Sequence, residues 1–157
     1  MEQPRWLVDE MLGRLCRYLR FLGYDADYAH GLTDDEIVRR ARTETRRLIT
    51  RDRDLSRRVP GSVLLTQTDI AGQVGELRRA VPDLSRVVRF ERCTLCNGRL
   101  APVLTLTLSE EERSRVPPDV LESASIFRCS ACNHLYWEGT HTRSVQDRMA
   151  RWLSSEA

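Results

Sequence analysis

The fold is decided first by residues 5–23, which have the sequence RWLVDEMLGRLCRYLRFLG. The apolar run at its start predicts a β-strand over residues 5–8 that leads directly into two acids, Asp9 and Glu10. The residues after it predict a helix over 10–22, because apolar side chains recur at the period of an α-helix. Gly23 is well placed to end this helix, since glycine readily takes the left-handed conformation found at helix C-termini. The predicted apolar face holds Met11, Leu12, Leu15, Cys16, Leu19 and Leu22, and the opposite face holds Arg14, Arg17 and Arg20.

The next sixty residues continue the alternation of strands and helices. Thr33 and Glu36 have the spacing of a capping box, in which two side chains bond backbone N–H groups at a helix start. Apolar runs predict strands over residues 25–29, 47–50 and 62–66, and helical spacing predicts a helix over 69–81. Such alternation indicates right-handed βαβ units, so the predicted fold class is α/β with a mostly parallel sheet. A further strand over residues 87–90 is predicted to connect this region to the cysteine-containing remainder of the chain.

Length and composition are those of an ordinary globular protein. The 157 residues suffice for one main domain with a small appendage, and 41% hydrophobic with 31% charged residues is typical of soluble chains. No apolar run approaches the roughly 20 residues needed to cross a bilayer, and the N-terminus lacks a signal-peptide pattern. The expected location is therefore the cytoplasm, and no membrane partner is expected.

Arginine is unevenly distributed along the chain. All 25 basic residues are arginine, and residues 39–58 hold nine of them against three acids. Genomic base composition accounts for most of the absence of lysine, and a solvated helix face accounts for any single arginine. The clustering favours an anionic partner, because guanidinium groups bind phosphate in a bidentate manner, and nucleic acid is the obvious class.

The cysteines predict a metal site. Two C-x-x-C pairs, Cys93 with Cys96 and Cys129 with Cys132, are separated by 32 residues. Paired C-x-x-C turns are typical of a structural zinc ribbon, in which four thiolates hold one tetrahedral ion. The spacing is longer than in compact ribbons, which indicates an insertion over residues 107–123 with a short helix and a turn. Disulfides are disfavoured in a reducing cytosol, and a thioredoxin-like site needs one C-x-x-C at a helix start.

Acidic residues follow several of the predicted strands. Asp9 follows the first strand, Asp52 and Asp54 follow the third, and Asp34 begins a helix. Carboxylates beyond the C-terminal ends of parallel strands lie where open α/β sheets bind ligands, and together they favour Mg²⁺ or Mn²⁺. Each acid also has a simpler interpretation, because acids stabilise helix N-termini and aspartates form turns. Asp9 is the hardest to explain in this way, since a carboxylate buried without partners is costly.

Four motifs occur in a fixed order along the chain. They are LVDEMLGRLCRYLRFLGYD (residues 7–25), TDDEIVRRA (33–41), LITRDRDL (48–55) and the two C-x-x-C pairs followed by YWEGTH (136–141). Together they resemble the Mut-seven C-terminal ribonuclease domain family of PIN-like nucleases, over roughly residues 5–145. The resemblance implies a PIN-like three-layer α/β/α domain, placed over residues 1–90. It also implies a small Cys₄ zinc-ribbon module with an inserted segment and a C-terminal helix, placed over 91–157.

The same resemblance implies metal-dependent cleavage of RNA at an acidic site. Asp9 and Asp52 are the expected inner ligands of Mg²⁺ or Mn²⁺, with Asp34 and Asp54 orienting water or holding a second ion. Asp35 is an alternative to Asp34, and Asp69 and Glu76 are left outside the core set. The predicted contacts to RNA are Arg14, Arg17, Arg51, Arg53, Tyr136 and His141.

Two other classes of function remain open from the sequence. A non-catalytic RNA-binding zinc-ribbon protein would handle RNA by charge and stacking alone, and its binding would fall steeply with salt. A zinc-dependent adaptor would instead recruit a protein through the inserted segment. Tyr136 and Trp137 are consistent with base stacking, but an aromatic pair in a small ribbon more often forms its core.

Overall fold

The computed structural model describes residues 2–154. Its first half contains a parallel four-stranded sheet in the order β2-β1-β3-β4. The strands are β1 Trp6–Val8, β2 Ala26–Tyr28, β3 Arg47–Thr50 and β4 Val63–Leu64. The helices that alternate with them are α1 Gly13–Phe21, α2 Asp34–Thr43, α3 Arg53–Arg58 and α4 Ile70–Ala80.

Helices cover both faces of the sheet. Successive strand residues point to opposite faces, so Trp6 and Val8 pack with α1 and α4 while Leu7 packs with α2 and α3. Both sides of the central strands are fully buried, which explains why their sequences are continuous apolar runs. The predicted α/β fold with three layers is confirmed.

Local capping sets the ends of the helices. The Thr33 hydroxyl accepts a hydrogen bond from the Glu36 N–H, and the Glu36 carboxylate accepts one from the Thr33 N–H, as the capping box predicts. Gly23 has a φ of 86°, and its N–H bonds the carbonyl of Arg20 at the end of α1. A side chain at this position would be strained, so glycine is the residue that ends α1.

The second half contains a three-stranded antiparallel sheet in the order β5-β6-β7. Its strands are β5 Leu100–Val103, β6 Ile126–Cys129 and β7 Leu135–Trp137. The predicted insertion between β5 and β6 forms a 3₁₀ turn Thr105–Thr107 and two short helices, α5 Glu110–Arg115 and α6 Pro118–Ser123. These elements have a small core of their own, made of Leu108, Val116, Val120 and Ile126.

The last helix, α7 Thr140–Ser154, returns to the first sheet. Val145 and Met149 are buried in the same core as the α1 side chains, and the Trp152 ring meets Tyr18 edge-on at 5.0 Å between centroids. The second half is thus joined to the first by apolar packing as well as by the chain. The division of the chain at residues 90 and 91 stays a prediction. Across residues 2–154, no helix combines the length and apolar character needed to cross a membrane.

Four local predictions were wrong. Residues 87–90 form no strand, since Arg89 makes a single backbone bond to Phe21 and the Phe90 ring stacks on Phe127. The predicted helix over 10–22 begins with a separate 3₁₀ turn Glu10–Leu12. Met11 lies on that turn and is exposed, while Arg20, assigned to the polar face, is buried.

Candidate active site and metal centre

The sheet order brings the ends of β1 and β3 together. From β1 the chain moves outward to β2 and then returns across β1 to β3, so the winding direction reverses between β1 and β3. Open parallel sheets bind ligands at such a reversal, outside the carboxyl ends of the strands. Val8 is paired with Ile49, so Asp9 and Thr50 leave the two strands side by side.

Thr50 connects two of the predicted site acids. Its buried hydroxyl donates to Oδ2 of Asp9 at 2.5 Å and accepts from the Asp52 N–H at 3.0 Å. The other Asp9 oxygen accepts from the Glu10 N–H at 2.7 Å. Asp9 is only 6% exposed, and these two donors hold its carboxylate in one orientation. Thr50 was not among the predicted site residues, although the sequence places it at the end of the apolar run that forms β3.

Asp52 has a second role as the N-terminal cap of α3. Its Oδ1 accepts from the N–H groups of Asp54 and Leu55 at 2.8 and 3.0 Å. Among the described residues, the other Asp52 oxygen has no hydrogen-bond partner, which leaves it available to a ligand.

Asp34 and Asp54 are less closely connected to this pair. Asp34 is exposed in the first turn of α2, and Asp54 is exposed in an ion pair with Arg57 at 3.0 Å. Asp35, the alternative acid, pairs with Arg58. Over residues 2–154, the only set of three or more acids, histidines or cysteines with mutually close ligand atoms is the cysteine cluster.

The two acids left outside the core set have local structural roles. Asp69 caps α4 by accepting from the Gly72 N–H at 2.9 Å. Glu76 accepts from the N–H groups of Thr66 and Gln67 just after β4, at 2.7 and 3.1 Å. Burial raises the pKa of Glu76, but its hydrogen bonds to Thr66 and Gln67 outweigh burial and lower it.

The carboxyl edge also contains a histidine that the sequence analysis did not single out. Nδ1 of His30, just beyond β2, lies 2.7 Å from a Glu10 carboxylate oxygen, and its ring stacks on Tyr28. The Tyr28 hydroxyl in turn donates to the Glu10 carbonyl at 2.5 Å. The parallel register of β1 and β2 places Glu10 opposite His30, and only knowledge of that register could have identified the pair.

Arg51 and Arg53 line a small pocket of about 170 Å³ on the far side of β3. The other lining residues come from the end of β4: Leu64, Leu65 and Thr66. Nε of Arg51 is buried and has no hydrogen-bond partner among the described residues. A guanidinium group in this state can still donate to a ligand.

Most of the arginine cluster over residues 39–58 is used within the fold. Arg40 pairs with Asp27 and Glu44, and Arg46 pairs with Glu44 and Asp25. Arg42, Arg47, Arg57 and Arg58 also have partners in the protein. The clustering in sequence therefore reflects internal ion pairs more than a surface reserved for phosphate.

The four predicted zinc ligands come together at the start of the second half. The Sγ atoms of Cys93, Cys96, Cys129 and Cys132 all lie within 4.8 Å of one another. Cys93 and Cys132 are separated by 3.6 Å, and Cys96 and Cys129 by 3.5 Å. A tetrahedral zinc ion with Zn–S bonds of about 2.3 Å places its sulfurs about 3.8 Å apart. The cluster therefore fits a structural tetrahedral metal ion such as zinc.

The two cysteine turns have the same backbone structure. Asn97 and Asn133, each directly after a C-x-x-C pair, have φ values of 65° and 63°. In each turn the asparagine N–H bonds the carbonyl of the first cysteine, at 2.9 and 3.0 Å. Gly98 is required beside the first turn, because a Cβ there would lie 2.7 Å from the Sγ of Cys129.

Tyr136 supports the metal cluster directly. Its hydroxyl lies 3.0 Å from the Sγ of Cys93 and accepts from the Thr94 N–H at 3.1 Å. Burial raises the pKa of Cys93, but hydrogen bonds from the Tyr136 hydroxyl and backbone N–H groups outweigh burial and lower it to about 7. Burial and the Cys93 hydrogen bond raise the pKa of Tyr136 to about 12. A thiol poised in this way is readily converted to a thiolate ligand.

The first cysteine turn is fastened to the edge strand β2. Asn97 Oδ1 accepts from the Ala26 N–H at 3.1 Å, and its amide donates to Asp25 at 2.8 Å. Buried Arg20 donates to the Ala26 carbonyl at 2.8 Å and to the carbonyls of Thr94 and Leu95 at 3.1 and 3.2 Å. The metal cluster and the sheet thus share one hydrogen-bond network.

A large groove lies where α1, the cysteine module and the first turns of α7 meet. It has a volume of about 980 Å³, and its walls include residues 88–92, β7 and the first turns of α7. We refer to it as the α1–α7 groove. Four of the six predicted RNA contacts line it: Arg14, Arg17, Tyr136 and His141. The other two, Arg51 and Arg53, lie in the separate small pocket.

Comparison with known proteins gave a single informative result. A search of curated proteins and a search of solved structures each found no match. The model of one family, described as the Mut7-C RNAse domain, matches residues 4–149. This match covers nearly the whole chain, including both the parallel sheet and the cysteine cluster. The chain therefore belongs to the Mut7-C RNAse domain family.

Proposed function

We propose that the protein is a divalent-metal-dependent ribonuclease whose reaction takes place at the carboxyl edge of the parallel sheet. The observation that supports the proposal is the link through Thr50, whose hydroxyl bonds the Asp9 carboxylate and the backbone N–H of Asp52 where the winding reverses. Membership of a ribonuclease family supplies the substrate class, RNA, and the reaction class, hydrolysis.

The residues at this edge fit a magnesium or manganese ion. Mg²⁺ keeps several waters and usually takes one or two carboxylates, which suits a pair made of Asp9 and Asp52. When bound, such an ion lowers the pKa of a coordinated water and neutralises phosphate charge. Asp54, two residues after Asp52, and Asp34, in the first turn of α2, are exposed and would act through water or a second ion. Arg51, which lines the small pocket beside β3, would contact the phosphate.

Thr50 has a positioning role in this scheme. Its hydroxyl fixes the Asp9 carboxylate and the start of the segment that carries Asp52, so neither acid has to be ordered when RNA binds. His30, whose Nδ1 lies 2.7 Å from the Glu10 carboxylate, would exchange a proton with the leaving oxygen.

The first test is cleavage of RNA by the purified full chain with Mn²⁺ or Mg²⁺. Asp9→Asn and Asp52→Asn are expected to lower the cleavage rate by about 100-fold or more, because each removes a ligand charge. Thr50→Val is expected to lower it by about 10- to 100-fold, as loss of a ligand-orienting partner does. Asp83→Asn, at an exposed aspartate away from the edge, is the matched control and should cleave normally. Full activity in both ligand variants would show that the assigned acids are wrong.

The second candidate function is RNA binding without catalysis. It is favoured by the finding that, within the described part of the chain, only the cysteines bring three or more ligand groups together. Tight RNA binding with no cleavage under any divalent metal, in protein that retains its zinc, would establish this alternative.

A further inference from the structure

We propose that the α1–α7 groove is the binding site for single-stranded RNA, so that the zinc module anchors substrate away from the site of cleavage. The choice of RNA rests on the proposed function, whereas the choice of a single-stranded polyanion rests on the groove itself. Arg143 and the N-terminal turn of α7 were not indicated by the sequence as RNA contacts. They line the same groove as the predicted arginines of α1.

The groove has a strong surplus of positive charge. Six arginines and two acids, Asp119 and Glu138, line it. Two of the arginines, Arg89 and Arg92, are paired with Glu91 and Asp25. Arg14, Arg17 and Arg143 are exposed and form no ion pair with any residue in the described range 2–154. This is unlike the cluster over 39–58, where internal partners satisfy most arginines. Exposed arginines that line one groove attract phosphate much more than scattered ones do, because their potentials add.

The N-terminus of helix α7 adds to the positive charge of the groove. Its first residues, with Gly139 before them, line the groove, and the first N–H groups of any helix lack intrahelical partners. A helix of fifteen residues has the equivalent of about half a positive charge at its N-terminus. Phosphate is a natural ligand of such a terminus when arginines lie beside it.

Aromatic rings line the same groove, which distinguishes single strands from duplexes. The rings belong to Phe21, Phe90, His134, Tyr136, Trp137 and His141. His134 meets Tyr136 edge-on at 4.9 Å, and Phe21 lies 6.2 Å from His141 between centroids. Unpaired bases stack on such rings, but a duplex keeps its base faces covered. Arginines combined with aromatic rings therefore favour single-stranded nucleic acid.

The position of the groove connects it to the carboxyl edge. Arg14 is in the first turn of α1, five residues after Asp9, and Phe21 is the last residue of that helix. Nine residues of α-helix span about 13.5 Å. A strand bound along α1 would therefore extend from the zinc module towards Asp9. The cysteine module would hold one end of the RNA strand while cleavage takes place near Asp9, at the other end of α1.

The test is fluorescence anisotropy with a labelled single-stranded oligoribonucleotide of about 12 nucleotides, a length within the range of single-strand sites. Zinc-loaded full-length protein is used without added Mg²⁺ or Mn²⁺, so that binding is measured without cleavage. The double variant Arg17→Ala with Arg143→Ala is expected to bind at least tenfold more weakly. The slope of log K against log salt should fall by about 1.4, since each phosphate contact to a single strand contributes about 0.7. His141→Ala, at an exposed ring, should weaken binding about fivefold or more.

The matched control replaces two exposed arginines that lie outside the groove, Arg39→Ala with Arg86→Ala. It removes the same net charge, so a loss as large as that of the groove variant would show that only overall charge matters and would overturn the proposal. Equal affinity for a duplex of the same length, or displacement of RNA by a phosphopeptide at similar concentration, would assign the groove to another ligand. Asp9→Asn should bind RNA normally. If the protein does not cleave RNA, the proposed function fails but the RNA-binding groove is unaffected. If the groove variants bind RNA as tightly as the unmodified protein, the groove proposal is overturned even when the protein is an active nuclease.

Discussion

Replacing Arg20 with methionine should destabilise the whole fold, although the residue is far from the proposed chemistry. The side chain is 6% exposed, and its three hydrogen bonds reach the carbonyls of Ala26, Thr94 and Leu95. Methionine keeps a similar length and apolar stem but has no N–H group. The substitution therefore leaves three carbonyls without their donor and keeps most of the packing.

The expected loss follows from these contacts. A hydrogen bond that involves a charged group contributes about 1.5–3 kcal/mol, and removing one partner of a buried charged arrangement typically costs about 3–5 kcal/mol. Because methionine avoids the cost of burying a charge, we expect Arg20→Met to lower the free energy of unfolding by about 3–4 kcal/mol. That is a large part of the roughly 5–15 kcal/mol available to a small protein.

Urea denaturation followed by circular dichroism measures this loss. Arg17→Met, one turn earlier on the same helix but exposed, is the control and should change stability by less than about 0.5 kcal/mol. Two of the three acceptors belong to the first cysteine turn, so the cost should be smaller in zinc-free protein, and a thermodynamic cycle measures that coupling. If both methionine variants unfold at the same urea concentration, the bridging role of Arg20 is refuted. If the cost of Arg20→Met does not depend on zinc, the arginine stabilises only the sheet.

Two further predictions concern the same network. Gly98→Ala should weaken zinc binding by about tenfold or more, because the added Cβ would lie 2.7 Å from the Sγ of Cys129. Competition with a chromophoric chelator measures this, with Gly75→Ala as control, since a Cβ there meets nothing closer than 3.7 Å. Burial raises the pKa of Asp25, but hydrogen bonds from Arg46 and Asn97 outweigh burial and lower it to about 2. The pKa of Asp25 in the folded protein lies below the unfolded value of 3.8. The ionised carboxylate therefore stabilises the protein above about pH 4, and this stabilisation is lost as the pH falls towards 2. Asp25→Asn should therefore lower stability at pH 7 and flatten its decline over that acid range; an unchanged acid decline would contradict this.

Features set by neighbouring residues were predictable from the sequence. The strands of the first half, the capping box at Thr33 and the helix end at Gly23 depend on local spacing and backbone conformation. The four cysteines were predictable for a similar reason, because each C-x-x-C pair fixes a turn that presents two thiolates. Periodicity placed Cys16 correctly in the core.

Features set by distant residues were not predictable in the same way. Arg20 has the spacing of a polar-face residue, and two of its three carbonyl partners lie in the cysteine turn more than seventy residues later. The short helix α3 begins because Asp52 caps it, yet the same aspartate after a strand also suggests a simple turn. For the candidate active site, the acids were visible but the register of β1 against β3, which brings Thr50 beside Asp9, was not.

The same long-range contacts explain why the cysteine module follows this sheet. Strand β2 is at the edge of the parallel sheet, and Ala26 presents an N–H and a carbonyl that no strand pairs. Unpaired edge groups are a liability that proteins usually cover. Here Asn97 and Arg20 satisfy both groups, and Asn97 is fixed by the cysteine turn it ends. The cysteine turn and Arg20 therefore complete the sheet at β2, which in turn supports β1 and the Asp9 carboxylate at its end.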